Sequence, residues 1–206
     1  MNVITVSREF GSGGRELGKR LADTLGFNYY DKEIITAVAK ELSMDEAYLE
    51  RATDSRVLSR IPLHFSRTLT RPSAFSLSNS YLLAQQHKII KELAAKGDCV
   101  IVGRGADAVI KELDPVTLFV YADMPSKIKR CRSRADENEV LSDREWERRI
   151  KQVDKSRAEN YALFSPAAWG DMHTYHLCVN TSNIEIKSIV PMLASYVKTR
   201  LERNSV

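Results

Sequence analysis

The chain has 206 residues, of which 43% are hydrophobic and 28% charged, with a formal net charge of +4. This suffices for one well-buried core in a single domain and places no demand for nucleic acid as a partner. No apolar run approaches the roughly 20 residues that span a bilayer, and no charged, apolar and small-residue leader opens the chain, so a cytoplasmic protein without membrane contact is expected.

Val3 to Val6 is a short β-branched run that reads as a buried strand, with Ser7 at its end. A glycine-rich turn follows, and then a helix with Leu17, Leu21 and Leu25 four apart on one face. Phe27 to Tyr30 reads as a second strand, and Asp31 is placed to cap a helix over 32–42. A further helix is expected over 44–58. The serine-, threonine- and arginine-containing stretch 59–78 then loses periodicity, as an insertion would. A long helix is expected over 78–96, ended by Gly97, and then a fully apolar strand, Cys99 to Val102. Val116 to Tyr121 is a fourth strand, and a helix opens at Pro125 behind Asp123, its expected cap. A charged helix over 143–161, a strand over 175–180 and a closing helix over 184–202 complete the chain. Cys99, Cys131 and Cys178 are far apart and lack metal-ligand spacing. The four histidines form no triad or metal pattern.

Strands alternating with helices predict an α/β fold with a five-stranded parallel sheet and right-handed crossovers. Ligands in such sheets bind at the carboxyl ends of strands, where Ser7, Asp31, Gly103, Arg104 and Asp123 fall.

The order strand, glycine loop, helix is suited to phosphate. A helix N-terminus offers unpaired N–H groups, and glycines let the backbone close on an anion. Gly11, Ser12, Gly13, Gly14, Arg15 and Glu16 are therefore candidates for cradling a nucleotide's phosphates. The loop departs from G-x-x-x-x-G-K-[ST]. With Gly13 as its last glycine, Gly14 stands where the lysine belongs, and Arg15 comes one place later. Arg15 is the first candidate for the missing charge and Arg8 the second, unless Arg8 pairs with Glu9 or Glu16. Ser7 is a candidate for a phosphate or a magnesium water. Glu16 is read as favouring the helix dipole over binding metal.

The segment Lys127 to Arg157 carries eleven basic and seven acidic residues. Nucleic-acid binding is disfavoured there, because the acidic residues interleave and no aromatic–basic platform is present. Arg130 and Arg134, four apart on one helix face, make a candidate phosphate clamp. Asp154 and Arg157 lie one turn apart, either as an ordinary ion pair or with Asp154 orienting Arg157 toward a phosphate. Arg67 and Arg71, in the 59–78 stretch, are candidates for gripping a phosphate.

Several sequence words, taken together, resemble the cytidylate kinase-like family among nucleoside monophosphate kinases. They are Ile4-Thr-Val-Ser-Arg-Glu-Phe-Gly-Ser-Gly-Gly-Arg-Glu-Leu17, Tyr29-Tyr-Asp-Lys-Glu33, Val102-Gly-Arg-Gly105, Asp154-Lys-x-Arg157 with Tyr161, and Trp169-Gly-Asp171. The resemblance covers nearly the whole chain. It implies a three-layer P-loop NTPase fold with a helical monophosphate-binding insertion, placed at 44–78, and an arginine-bearing lid at 130–145. It also implies phosphoryl transfer from ATP, with Mg²⁺, to a nucleoside monophosphate or similar small acceptor. Arg104, beside Gly103, inherits the role of holding the acceptor's phosphate, and Asp31 lies near the acceptor nucleoside. The family's Gly-Arg-Asp is here Gly-Arg-Gly. The competing expectation is a nucleotide-binding regulatory protein without turnover, for which the absent lysine argues.

Overall fold

The protein, a computed structural model, is described for residues 1–46, 49, 79–135 and 139–203. Most of the expected 44–58 helix and 44–78 insertion, with Arg67 and Arg71, lies outside the described residues. Five strands form one sheet: β1 (Val3–Arg8), β2 (Asn28–Tyr30), β3 (Cys99–Val102), β4 (Val116–Tyr121) and β5 (Leu177–Asn180). The order is β2-β3-β1-β4-β5, and every pairing is parallel. The helices are α1 (Gly14–Leu25), α2 (Lys32–Leu42), α3 (Asn79–Ala95), α4 (Ala106–Val109), α5 (Met124–Arg132), α6 (Asp143–Ala162) and α7 (Ile186–Arg203).

Alternation along the central strands builds a core on each face. Val3, Cys99 and Ile101 pack with Ile34, Val38 and Ile90 of α2 and α3. Ile4, Val6, Val100, Val102 and Leu118 point the other way, against Leu17 and Leu21 of α1 and Leu193 and Val197 of α7. Burying each such side chain stabilises the fold by roughly 1.5–3 kcal/mol. Covering both faces explains why β3 and β4 read as continuous apolar runs rather than as alternating ones.

Two local details differ from the sequence reading. β1 runs past Ser7 to Arg8, which pairs in register with Val120. Asp31 occupies the N-cap position of α2, but its side chain accepts no helix N–H. Instead its own N–H donates to Glu33 Oε2 at 2.9 Å, which leaves the Asp31 carboxylate for arginine partners. Asp123 does cap α5, accepting from the Ser126 N–H at 2.9 Å. The connections diverge between β1 and β3, and the loops after these two strands open at this switch point.

Candidate functional site

The loop after β1 leads directly into α1. The Leu17 N–H donates to the Gly13 carbonyl at 3.0 Å, closing the first helical turn. The amides of Arg15 and Glu16 precede that bond, so they stand at the positive helix end without helical acceptors. The loop is braced from three elements. The Phe10 N–H donates to Asp154 Oδ1 of α6 at 2.6 Å, and Thr181 Oγ1, just after β5, donates to the Ser12 carbonyl at 2.6 Å. Arg130 of α5 donates to that same carbonyl at 3.3 Å.

Beneath the loop lies a charge cluster around a buried lysine. Lys127 Nζ is 2.7 Å from Glu9 Oε2 and 3.2 Å from Asp154 Oδ2, and its side chain is 6% exposed. Glu9 also accepts from the Ala122 N–H at 3.2 Å. Burial raises the Asp154 carboxyl above its usual range, while the Phe10 N–H, Lys127 and Arg157 pull it back down. Asp154 Oδ1 is 3.7 Å from Arg157, whose Nη1 donates to the Arg8 carbonyl at 3.0 Å. Arg157 is thus already aimed at the loop.

Arg8 is the centre of the site. Its side chain is 11% exposed and runs through a slot between two glycines. A β-carbon at Gly14 would lie 2.5 Å from Arg8 Cβ, and one at Gly103 would lie 1.6 Å from Arg8 Nη1. Arg8 Nη2 is 3.6 Å from Asp31 Oδ1, while Arg15 pairs closely with the other oxygen of that carboxylate. Burial is the main cause that lowers the Arg8 pKa, to about 9; Arg157, Arg104 and Arg15 lower it further and Asp31 opposes them. The guanidinium remains charged at neutral pH. Arg8 and Arg15 share Asp31, Arg157 lies beside Asp154, and Arg104 stands close enough to act on Arg8, a gathering of arginines suited to an anion.

Two clefts open on either side. One, of about 270 Å³, is lined by Gly11, Gly13, Gly14, Arg15 and residues of α5 and α6, including Cys131, Trp146 and Arg149. The other, of about 50 Å³, is lined by Ser7, Gln86, Gly103, Arg104, Tyr161 and Trp169, among others. Arg8 and Arg157 line both.

The remaining predicted residues fall as follows. Gly11, Gly13 and Gly14 line the larger cleft, and Gly103 and Arg104 the smaller. Arg104 adopts a positive φ of 60°. Arg15 is half-exposed at the rim. Arg130 gives its donors to Thr181, to the Ile184 carbonyl and to the loop, while Arg134 pairs with Glu16 at 2.7 Å. Both line the larger cleft beside the glycine loop, where their spacing placed them, and both also brace the loop and α1. Glu16 also holds Arg20, 2.9 Å away. Ser7 donates to Asp107 Oδ1 at 3.0 Å, and Tyr161 donates to Asp107 Oδ2 at 2.7 Å. Asp107 is buried, which raises its carboxyl above the usual range, and the same setting pushes Tyr161 up to about 12.

Sequence reasoning did not single out Lys127 or Gln86. Lys127 sits in a run of basic residues, where nothing distinguishes a buried lysine from solvated ones. Gln86 falls on the apolar stripe of α3, with Leu82, Ile89, Ile90 and Leu93, and a polar residue on such a stripe was the available signal.

The carboxylates around the loop are already matched by cations: Glu9 by Lys127, Asp31 by Arg8 and Arg15, and Glu16 by Arg20 and Arg134. No group of three or more His, Cys, Asp or Glu that could hold a metal ion is present among the described residues. These side chains do not make a protein cage for Mg²⁺. A magnesium ion would be held chiefly by the oxygens of a bound nucleotide. No helix among the described residues is long and apolar enough to cross a membrane.

The sequence profile of the cytidylate kinase-like family matches residues 3–183. A cytidylate kinase from Methanopyrus kandleri is 25% identical over 210 residues, covering 98% of this chain and 95% of that protein. Among solved structures, an uncharacterized protein from Eubacterium ventriosum superposes with a TM-score of 0.68 at 22% identity, over 96% of this chain and 99% of the other. Shikimate kinase from Bacteroides thetaiotaomicron superposes with a TM-score of 0.60 at 16% identity, over 96% and 98% of the two chains.

Proposed function

The chain belongs to the cytidylate kinase-like family, and on that premise we propose that it transfers a phosphoryl group from ATP, bound with Mg²⁺, to a nucleoside monophosphate or similar small phosphate-bearing acceptor. One observation carries this reading: Arg8 and Arg157 line both clefts, so a group passing between the clefts passes these two guanidiniums. Phosphoryl transfer asks for in-line positioning and for neutralisation of charge on oxygens, with little covalent work from the protein. The amides of Gly13 to Glu16 take the donor's phosphates. Arg8 supplies the charge that the loop lysine provides elsewhere, from the strand rather than from the helix. Arg157, held by Asp154, faces the transferring group, and Arg104 holds the acceptor's phosphate. Arg15 contributes at the rim once it leaves Asp31. The monophosphate-binding insertion at 44–78 and the lid at 130–145 are part of the same proposal.

The smaller cleft supports a phosphate rather than a hydroxyl as the attacking group. Its described lining holds three arginines, Arg8, Arg104 and Arg157, and no carboxylate. An alcohol acceptor calls for a general base within hydrogen-bond reach, whereas a phosphate oxygen attacks already ionised.

A second reading, nucleotide binding without turnover, draws on the pairing of Arg15 with Asp31 and on the absent lysine. Incubation with ATP, Mg²⁺ and each nucleoside monophosphate separates the two. Monophosphate-dependent ADP release supports the kinase. ATP binding without ADP release supports the regulatory protein.

A further inference from the structure

We propose that Gln86 is a specificity-determining residue, whose carboxamide reads the polar edge of a nucleobase on the acceptor. The inference rests on the assignment of the smaller cleft to the acceptor. Gln86 projects from the core face of α3 into the lining of that cleft. It is 3% exposed, and its Oε1 has no hydrogen-bond partner among the described residues. Buried polar atoms are almost always paired, so an orphan in a cleft lining is open to a partner that arrives with the ligand.

The surroundings define that partner. Arg8, Arg104 and Arg157 gather positive charge in the cleft lining, which suits a phosphate. Phe164, Tyr161 and Trp169 supply aromatic walls. These rings are locked by one another and by their neighbours. Phe164 meets His87 edge-on with centroids 4.6 Å apart and Tyr161 at 5.7 Å, and Trp169 meets Phe119 edge-on at 5.3 Å. Rigid aromatic walls suit a flat ring. A carboxamide presents a donor and an acceptor side by side in one plane, which matches the paired donor and acceptor on the edge of a base. A sugar phosphate offers neither the flat ring nor that edge. Base choice therefore has a determinant on α3, outside the 44–78 segment.

Equilibrium binding tests this on the full chain, with CMP, UMP, AMP and GMP as ligands and ribose 5-phosphate as the baseline that lacks a base. The wild type should bind at least one monophosphate tenfold or more tighter than ribose 5-phosphate. Gln86→Met, of similar volume, should lose most of that preference while ribose 5-phosphate and ATP bind as before. Because Met removes an orphan polar atom, its melting temperature should hold or rise. An unchanged preference in Gln86→Met overturns the proposal, whatever the melting temperature. If Gln86→Met does not fold, Gln86→Glu keeps the size but cannot donate; the rank order of the four monophosphates must then change, and an unchanged order overturns the proposal. A wild type that binds no monophosphate overturns both this inference and the kinase reading. Selective binding without ADP release leaves this inference standing and removes only turnover.

Discussion

The guanidinium of Arg8 occupies the space that a β-carbon on Gly103 would fill, with Nη1 only 1.6 Å from that point. Gly103 also has a φ of 76°, so its glycine identity is required twice, by conformation and by the close approach of Arg8. A residue at the end of β1 thus dictates the residue at the end of β3.

Gly103→Ala should displace Arg8 and destabilise the fold by about 1–3 kcal/mol or more, since overpacking and an unfavourable φ act together. Combining it with Arg8→Ala removes the clash but leaves the φ penalty. The double variant should therefore be more stable than the sum of the single effects implies, by about 0.5–3 kcal/mol. Urea unfolding of the four proteins measures this, and simple additivity would show that the two side chains do not compete for one space.

Lys127→Met should be among the most destabilising changes at the site. It leaves the part-buried Glu9 and Asp154 without their shared cation, and breaking a fully buried pair from one side costs about 3–5 kcal/mol, which sets the upper bound here. A loss under about 1 kcal/mol, the range of surface pairs, would mean that water reaches the cluster.

Asp107 carries a pH signature. Its folded pKa is raised by burial, although Tyr161 and Ser7 donate to it and oppose that shift. A raised pKa means that the folded state holds the proton more tightly than the unfolded state. The resulting stability is complete below the ordinary aspartate value and is lost as pH rises through the folded value. Relative to Asp107→Asn, the wild type should therefore lose stability as pH rises above about 4, the ordinary aspartate value. A difference that stays flat as pH rises would contradict the burial argument.

Much of the fold was legible in the sequence because its elements carry strong local signals. β3 and β4 begin and end where their apolar runs do, and α2 spans 32–42 as its face of Ile34, Ile35 and Val38 requires. The closing helix was placed two residues early, at Ile184, because the chain is apolar before it is helical. The site was legible in position and less so in contact. Strand ends mark where ligands gather, but no spacing tells that Asp31 turns from its helix to two arginines. Nor does spacing show that Arg130 spends its donors on the 181–184 carbonyls. Those choices depend on residues distant in sequence meeting across the sheet. Arg8 was ranked behind Arg15 because Arg15 is nearer the expected lysine position along the chain. In space Arg8 lies inside the cleft and Arg15 on its rim.

Arg104→Ala should raise the KM of the monophosphate much more than that of ATP, because Arg104 lines only the smaller cleft of the two. Arg104→Lys should restore binding only in part, since a guanidinium holds a phosphate through two parallel bonds and an ammonium does not. Steady-state kinetics with each nucleotide varied in turn will decide, and a rise confined to ATP would place the acceptor elsewhere.

The most direct test of the central claim, that Arg8 takes over the charge of the missing loop lysine, is ADP release by Arg8→Ala at saturating ATP and monophosphate. Removing one donor that acts on transition-state charge typically costs about 2.7–4 kcal/mol, a fall of about 100- to 1,000-fold in kcat. The account predicts a fall of that size, larger than the fall in Arg15→Ala, with the variant still folded and still binding monophosphate. An Arg8→Ala enzyme that turns over within a few-fold of the wild type would contradict it.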